Sequence, residues 1–449
     1  MNKQLRFNNL IKELLLLKDL QILDTDADCE RFSKDFFDYS PVLKDQLHNS
    51  LADIIVRPFS VEAVIAVAGA CKRNQIFLTL RGSGTGNYGQ CVPIKGGVVM
   101  LMGELKKIRS LDSHSGVVTV EPGCLIKDLN KYLVENRRQL RLLPSTWRSA
   151  SIGGFVAGGS GGIGSVRWGF LRDPGHLLGL EIITLEDIPR KLELDATDAE
   201  ALNHAYGTNG IITSLTLATS PFIAWQEVAI DFSDWSDAVK CLQSISTSAI
   251  ELYLCTLLEN SIAKNLPTYR GKPKGHRLLI LVSADGLSTI ERLAESFKGT
   301  FNYFGEEKES SGTGLRELTW NHTTLHMRSV DPEWTYLQML LPQPETAFMS
   351  SLKTEWCDDL LWHLEAVKQK GVQRLAALPL VRWRGRELLE KLIKQCQDEG
   401  AIIFNPHVIT VEDGGLGVID VDQITAKRRF DPEGILNPGK LKGWTIQEN

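Results

Sequence analysis

The sequence predicts an α+β protein of two or three domains, and three observations carry that prediction. Its 449 residues exceed the length of one ordinary domain. Short β-type runs and amphipathic helical patterns recur throughout, and after Pro221 they form a second α+β set that suits an antiparallel sheet covered by helices. Two glycine-dense segments, 81–90 and 149–164, interrupt the first part and strip it of side chains where a ligand could reach the backbone.

Residues 1–50 read as a helical, amphipathic lead-in. From Ser60 the spacing of Val61, Val64, Ile65 and Ala68 marks a helix, with Ser60 as N-cap and Glu62 in its first turn. A strand at 76–80 delivers the first glycine loop; strands at 97–102 and 117–121 and a helix at 126–135 follow. A strand at 178–185 and a helix at 198–206 lead to the turn 207–210. Beyond it come 226–232, 235–245, 277–283 and 287–297, then 336–341, 344–353, 360–367, 375–381, 387–397 and 401–404. These two runs look loosely repeated. The polar stretch 306–314 reads as an exposed loop.

Composition excludes several classes of function. A net charge of −5 over this length leaves no nucleic-acid footprint. The apolar run at 14–17 is cut by Lys18 and Asp19, so no membrane span is expected, and the N-terminus lacks a signal-peptide layout. A cytoplasmic protein is expected. The eight cysteines are scattered without a CxxC pair, which argues against iron–sulfur or structural zinc sites and against disulfides.

The first glycine loop, Arg81-Gly82-Ser83-Gly84-Thr85-Gly86-Asn87-Tyr88-Gly89-Gln90, can turn successive N–H groups into an anion nest, with Arg81 adding charge. A diphosphate is the expected anion. Gly84-x-Gly86-x-x-Gly89 satisfies the dinucleotide fingerprint, but that fingerprint needs a helix starting inside it. Pro93 and Gly96-Gly97 oppose a helix, and 98–102 reads as a strand, so the nicotinamide-type assignment fails. No Lys-Ser/Thr follows to make a nucleotide-triphosphate loop. The second segment, punctuated by Ile152, Phe155, Val156 and Ile163, is no flexible linker. Paired with the first, it suggests one long ligand cradled from two sides.

With its flanks, this pair resembles the FAD-binding domain of the vanillyl-alcohol-oxidase/PCMH flavoprotein superfamily. Residues 52–64 resemble that domain's entry strand and first helix, Val118-Thr119-Val120-Glu121-Pro122-Gly123 its middle turn, and 206–213 its closing segment. Phe430-Asp431-Pro432-Glu433-Gly434-Ile435-Leu436-Asn437-Pro438-Gly439-Lys440 resembles the C-terminal signature of the D-lactate/glycolate-oxidase-like branch. The resemblance implies a PCMH-type FAD-binding domain of two α/β subdomains over 1–222, an inserted α+β cap over 223–404, and a C-terminal return over 405–449. It implies cofactor contacts from Arg81, Gly82, Ser83, Gly84, Thr85, Gly86, Asn87, Gly89 and Gln90. It extends them to Pro144, Ser145, Ser149, Ser151, Ile152, Gly153, Gly154, Ala157, Gly158, Gly161, Gly162, Gly207, Gly210, Ile212 and Asn437. Some members attach FAD through a histidine in the first loop or a cysteine near the second; here Thr85 and Ser149-Ala150-Ser151 stand there, so non-covalent FAD is expected.

Catalytic candidates come from the cap and its end. His322 and His326 share one face if helical; either could take a hydroxyl proton, and satisfied structural histidines are the alternative. Arg382 and Arg384 could clamp a carboxylate, or form a solvated helix start. His407 sits where the 2-hydroxy-acid branch carries a Glu-His-Gly-type motif, but Asn405-Pro406 precede it here, and no HxGDGN-like metal motif is present. No metal is expected. The implied activity is oxidation of a CH–OH group of a small anionic substrate by hydride transfer to flavin, with oxygen, a quinone or a carrier protein as electron acceptor. A carbon–carbon desaturase or reductase and a catalytically silent flavin-binding scaffold stay open.

Overall fold

Ile54–Pro58 is almost wholly buried and lies in parallel beside the fully buried Val98–Leu101, as unbroken apolar runs require. In the computed structural model, which describes residues 3–268, 271–307 and 314–444, Leu78–Arg81 joins them in parallel and Leu20–Leu23 closes the other edge antiparallel. Helix Val61–Asn74 makes the crossover. Ser60 caps it by accepting from Ala63 N at 3.2 Å, and Gln75 ends it in the left-handed region. The helix buries Val64, Val67, Ala68 and Cys71 against the sheet, beside Leu10 and Leu14 of helix Lys3–Leu14. This layer aims the C-terminal end of Leu78–Arg81 at the first glycine loop, the end of a parallel strand where ligands bind.

A second sheet runs in the order Ile108–Asp112, Val117–Val120, Ile211–Pro221, Leu177–Ile183, Lys191–Asp195, antiparallel throughout. Helix Ile126–Glu135 turns its apolar face, Ile126, Leu129 and Leu133, into the core behind it. The expected helix at 198–206 is shorter: Asp195 caps one turn, Ala196–Ala199, which tightens into a 3₁₀ turn at Glu200–Leu202.

Among the described residues the largest sheet has eight strands, all antiparallel: Thr300–Glu306, Gln226–Phe232, His276–Val282, Leu252–Leu258, His363–Gln369, Val372–Ala377, Met339–Leu340 and Ile402–Ile403. With helices Trp235–Thr247, Leu287–Ser296, Glu345–Trp356 and Arg386–Asp398 it forms two strand–helix–strand–strand–helix–strand units, joined edge to edge at their second strands. Alternate residues serve two cores. Val228, Ile230, Leu278 and Ile280 pack under the helices, while Ala229, Leu279 and Leu281 join the core shared with the second sheet.

Two strands here, Leu252–Leu258 and Thr300–Glu306, were not expected from the pattern. The first is buried at every position, so it shows no alternation; the second is a half-exposed edge. Part of the 306–314 loop lies outside the described residues. The C-terminal segment returns to the first sheet, where Leu436 bridges Leu78 in parallel and Asn437 N donates to Leu78 O at 2.8 Å. Among the described residues no helix is long and apolar enough to cross a membrane.

Candidate functional site

Between the two glycine segments and residues flanking strands of the large sheet (Gln338, Lys370 and Phe404) lies a cavity of about 840 Å³, within the range of cofactor and ligand sites. Loop residues 82–87 form one wall. Among the described residues, none of the backbone hydrogen bonds that tie the loops together is donated by 82–87, so their N–H groups stand available to a ligand. Gly84 has φ 68°, and a Cβ there would lie 2.0 Å from the Arg81 guanidinium. Arg81 therefore packs beneath the loop, donating to Lys34 O at 2.7 Å, and does not line the cavity. This corrects the expectation of a direct contact: its charge acts from behind the nest. Nearby, burial pushes the Asp35 carboxyl up to about 7 against the pull of Lys440 and Arg81.

The second wall opens on a helix. Gly153 and Gly154 lie in a short helix, Ile152–Gly158, because absent side chains let it touch its neighbours directly. A Cβ on Gly153 would meet Pro122 Cβ at 2.4 Å, and one on Gly82 would meet Ser151 Oγ at 2.3 Å and Gly154 Cα at 3.3 Å. The two glycine segments are thus in contact, back to back, at Gly82 and Gly154. Ser145, Ser149, Ser151, Ala157, Gly158 and Gly161 line the cavity from this side, with Pro144 beside them. Gly207, Gly210 and Ile212 also line the cavity.

Of the remaining expected contacts, Gly89, Ile152, Gly162 and Asn437 do not line the cavity. Each supports a wall. Gly89 passes Leu47, and Gly162 presses on Leu143 O, where a Cβ would sit at 2.1 Å. Ile152 is buried in the core, and Asn437 Nδ2 donates to Gln90 O and Tyr206 O, both at 2.7 Å.

The chain beyond 314 contributes Trp320, Asn321 and His322 at the start of helix Asn321–Val330, together with Gln338. His322 is the catalytic candidate that reaches the cavity. Its Nδ1 lies 3.1 Å from Glu317 Oε2, and Arg148 Nε donates to Glu317 Oε1 at 2.7 Å. Burial pushes the Glu317 carboxyl up, but the bonds from His322 and Arg148 outweigh it and hold it below the usual range. His326 turns away: its Nε2 donates to Glu317 O at 2.8 Å. His407 is also corrected as a base. The Tyr336 carbonyl, 2.9 Å from Nε2, can only accept, so Nε2 carries the proton and Nδ1 accepts from Ser40 Oγ at 2.7 Å. Arg382 and Arg384 lie outside the cavity, where they pair with Asp331, Glu333 and Asp359. They are a surface ion network and not a carboxylate clamp.

Several lining residues had no sequence signal strong enough to single them out. Arg172 is held by Glu200 at 2.7 Å and Asp420 at 2.9 Å. His204 donates from Nδ1 to Gly159 O at 2.9 Å, and burial pushes it down to about 4. Lys370 sits at the tip of the hairpin between His363–Gln369 and Val372–Ala377. The Arg-Asp pair that follows the second glycine segment was the one available cue.

The residues present fit a flavin dinucleotide. The nest offers unbonded N–H groups to a diphosphate, and the hydroxyls of Ser151 and Tyr206, both lining the cavity, are buried without a partner in the protein. The FAD binding domain family matches residues 52–187. The fold and this site define a chain that carries an FAD-binding domain of the PCMH type. It is distantly homologous to D-lactate and D-2-hydroxyglutarate dehydrogenases. A probable mitochondrial D-2-hydroxyglutarate dehydrogenase of Oryza sativa subsp. indica is 29% identical over 199 residues, 42% of this chain and 34% of that protein. The chain thus spans about a third of that relative's length. A D-lactate dehydrogenase of Archaeoglobus fulgidus is 22% identical over 410 residues, 86% of this chain and 91% of that one. A solved structure of an alkyldihydroxyacetonephosphate synthase superposes with a TM-score of 0.72 at 16% identity, covering 96% of this chain and 85% of that one. That likeness concerns the fold.

Proposed function

We propose that the chain is an FAD-dependent oxidoreductase acting on the CH–OH group of a small anionic substrate, a 2-hydroxy acid or close analogue. A cofactor module made of 1–222 and 405–449 holds FAD, and the 223–404 cap covers the substrate end. The bound isoalloxazine supplies the two-electron acceptor chemistry that side chains lack. Loop 82–87 receives the diphosphate, while Ser151 and Tyr206 offer hydroxyls to the rest of the cofactor.

The observation that carries the reading is His322, a cavity histidine backed by a carboxylate. With the Glu317 carboxylate 3.1 Å from Nδ1 favouring the proton there, the Nε2 lone pair is free to take the substrate hydroxyl proton. His204, the other cavity histidine, is a poor rival because burial pushes it down to about 4, too weak a base near neutrality. Among the described residues that line the cavity, Arg172 is already matched by Glu200 and Asp420, so Lys370 is the cation left to meet a substrate carboxylate. Thr85 and Ser149–Ser151 offer no attachment atom, and burial pushes the Cys91 thiol up to about 11, which opposes a thioether there. FAD is held non-covalently, and the electrons pass on to oxygen, a quinone or a carrier protein.

The test is anaerobic. Holoprotein is mixed with D-lactate, D-2-hydroxyglutarate, a sugar and an unsaturated lipid, and flavin absorbance is followed. A hydroxy acid should bleach it, and His322→Gln should slow bleaching by about 100-fold while keeping the flavin. Acid precipitation should release all the FAD into the supernatant. A protein that stays yellow with the whole panel is a binder and not an oxidase.

A further inference from the structure

Building on His322 as proton acceptor, we infer that Glu317, pinned by Arg148, is the positioning residue that dictates which nitrogen of His322 bears the proton. A carboxylate can only accept. The Glu317 carboxylate, 3.1 Å from His322 Nδ1, therefore favours the hydrogen on that nitrogen and leaves the lone pair on Nε2. A neutral imidazole left to itself favours the opposite tautomer, with its proton on Nε2, where it cannot act as a base toward the cavity.

Three contacts keep the carboxylate in place. Arg148 Nε holds the other oxygen at 2.7 Å, and its guanidinium lies 4.5 Å from the Trp147 ring centroid. His326 fixes the backbone of the same turn through Glu317 O, at 2.8 Å. Glu317 itself sits in the 3₁₀ turn Leu315–Leu318, just ahead of Trp320, which has φ 52° and opens the helix that carries His322. The neighbouring Arg316 is occupied by Glu307 at 2.6 Å through both Nε and Nη2, so it does not compete for Glu317. Arg148 immediately precedes Ser149, the start of the second glycine wall, whereas Glu317 and His322 belong to the cap. The base is thus organised across the junction: the tautomer is correct when the cap turn is seated on the cofactor wall.

A role confined to stability would leave the proton on the same nitrogen, and this separates the two accounts. Holoprotein labelled with ¹⁵N-histidine, with the His322 signals assigned by loss in His322→Gln, reports the tautomer from its nitrogen shifts at a pH of about 8, above the ordinary histidine range. Wild type should show the proton on Nδ1. Glu317→Leu should move it to Nε2 and slow flavin reduction by the hydroxy acid that bleaches wild type at least about tenfold, with KM little changed. Glu317→Gln, whose amide oxygen still accepts, should keep the wild-type tautomer and recover part of the rate; being nearly isosteric, it also serves if the leucine variant does not fold. Wild type with its proton on Nε2, or Glu317→Leu with it still on Nδ1, overturns the assignment. Unchanged flavin reduction in His322→Gln instead removes the base itself and leaves the tautomer result standing.

Discussion

His407 shows how a single buried side chain sets a pH limit. It is 4% exposed and bonded at both nitrogens, and burial pushes it down to about 4 from an ordinary 6.5, against the bond to Tyr336 O. As pH falls from about 6.5 to about 4 the unfolded chain takes up a proton that the folded chain refuses. Its contribution is full above that window and lost through it, on the order of 3 kcal/mol. His407→Gln should therefore flatten the acid arm of the stability curve while losing about 1–2 kcal/mol near neutrality from weakened bonds. Urea midpoints at several pH values check this; parallel slopes for both proteins would exclude it. The chemistry at this scale was only partly legible. His322 could be singled out, but nothing in the sequence separates it from His326 four residues on, because the difference is which imidazole meets Glu317's side chain and which its backbone.

The glycine segments are where element and ligand meet. Their positions could be read off the chain, since side-chain-poor stretches between apolar runs stand out in composition. The helix Ile152–Gly158 could not, because glycine disfavours helix and tertiary contact overrides that cost here. Gly153 has Pro122 at 2.4–2.9 Å from where a Cβ would sit, with its ring carbon and backbone both in the way. Gly153→Ala should cost about 1–3 kcal/mol and weaken FAD binding, because the helix must lift off Pro122 and carry Ser151 with it. Gly103→Ala, whose Cβ would meet nothing within 4 Å, is the matched control. Thermal melts and FAD titration of both variants decide the matter. Equal losses would mean that the close approach at Gly153 is not what the site needs.

At the scale of the molecule, the cavity is walled by segments distant in sequence, and a ligand that bridges them stabilises the folded chain alone. FAD at about 100 times its Kd should raise stability by about 2.7 kcal/mol, a clear rise in Tm over the apoprotein. A melting curve indifferent to FAD would contradict the site. The sequence by itself determined the α+β class and the two side-chain-poor segments, since these rest on local composition and on periodicity within one element; FAD followed from the family resemblance that those segments carry. Only the tertiary structure decided which polar groups are spent on the protein and which remain for chemistry. Arg81, Arg382, Arg384 and His407 are all engaged by residues remote in sequence or by the fold around them, while His322 keeps one nitrogen for the cavity. Hydrogen-bond and ion-pair capacity is exhausted by whichever partner the fold brings within about 3 Å, and sequence spacing does not encode that distance.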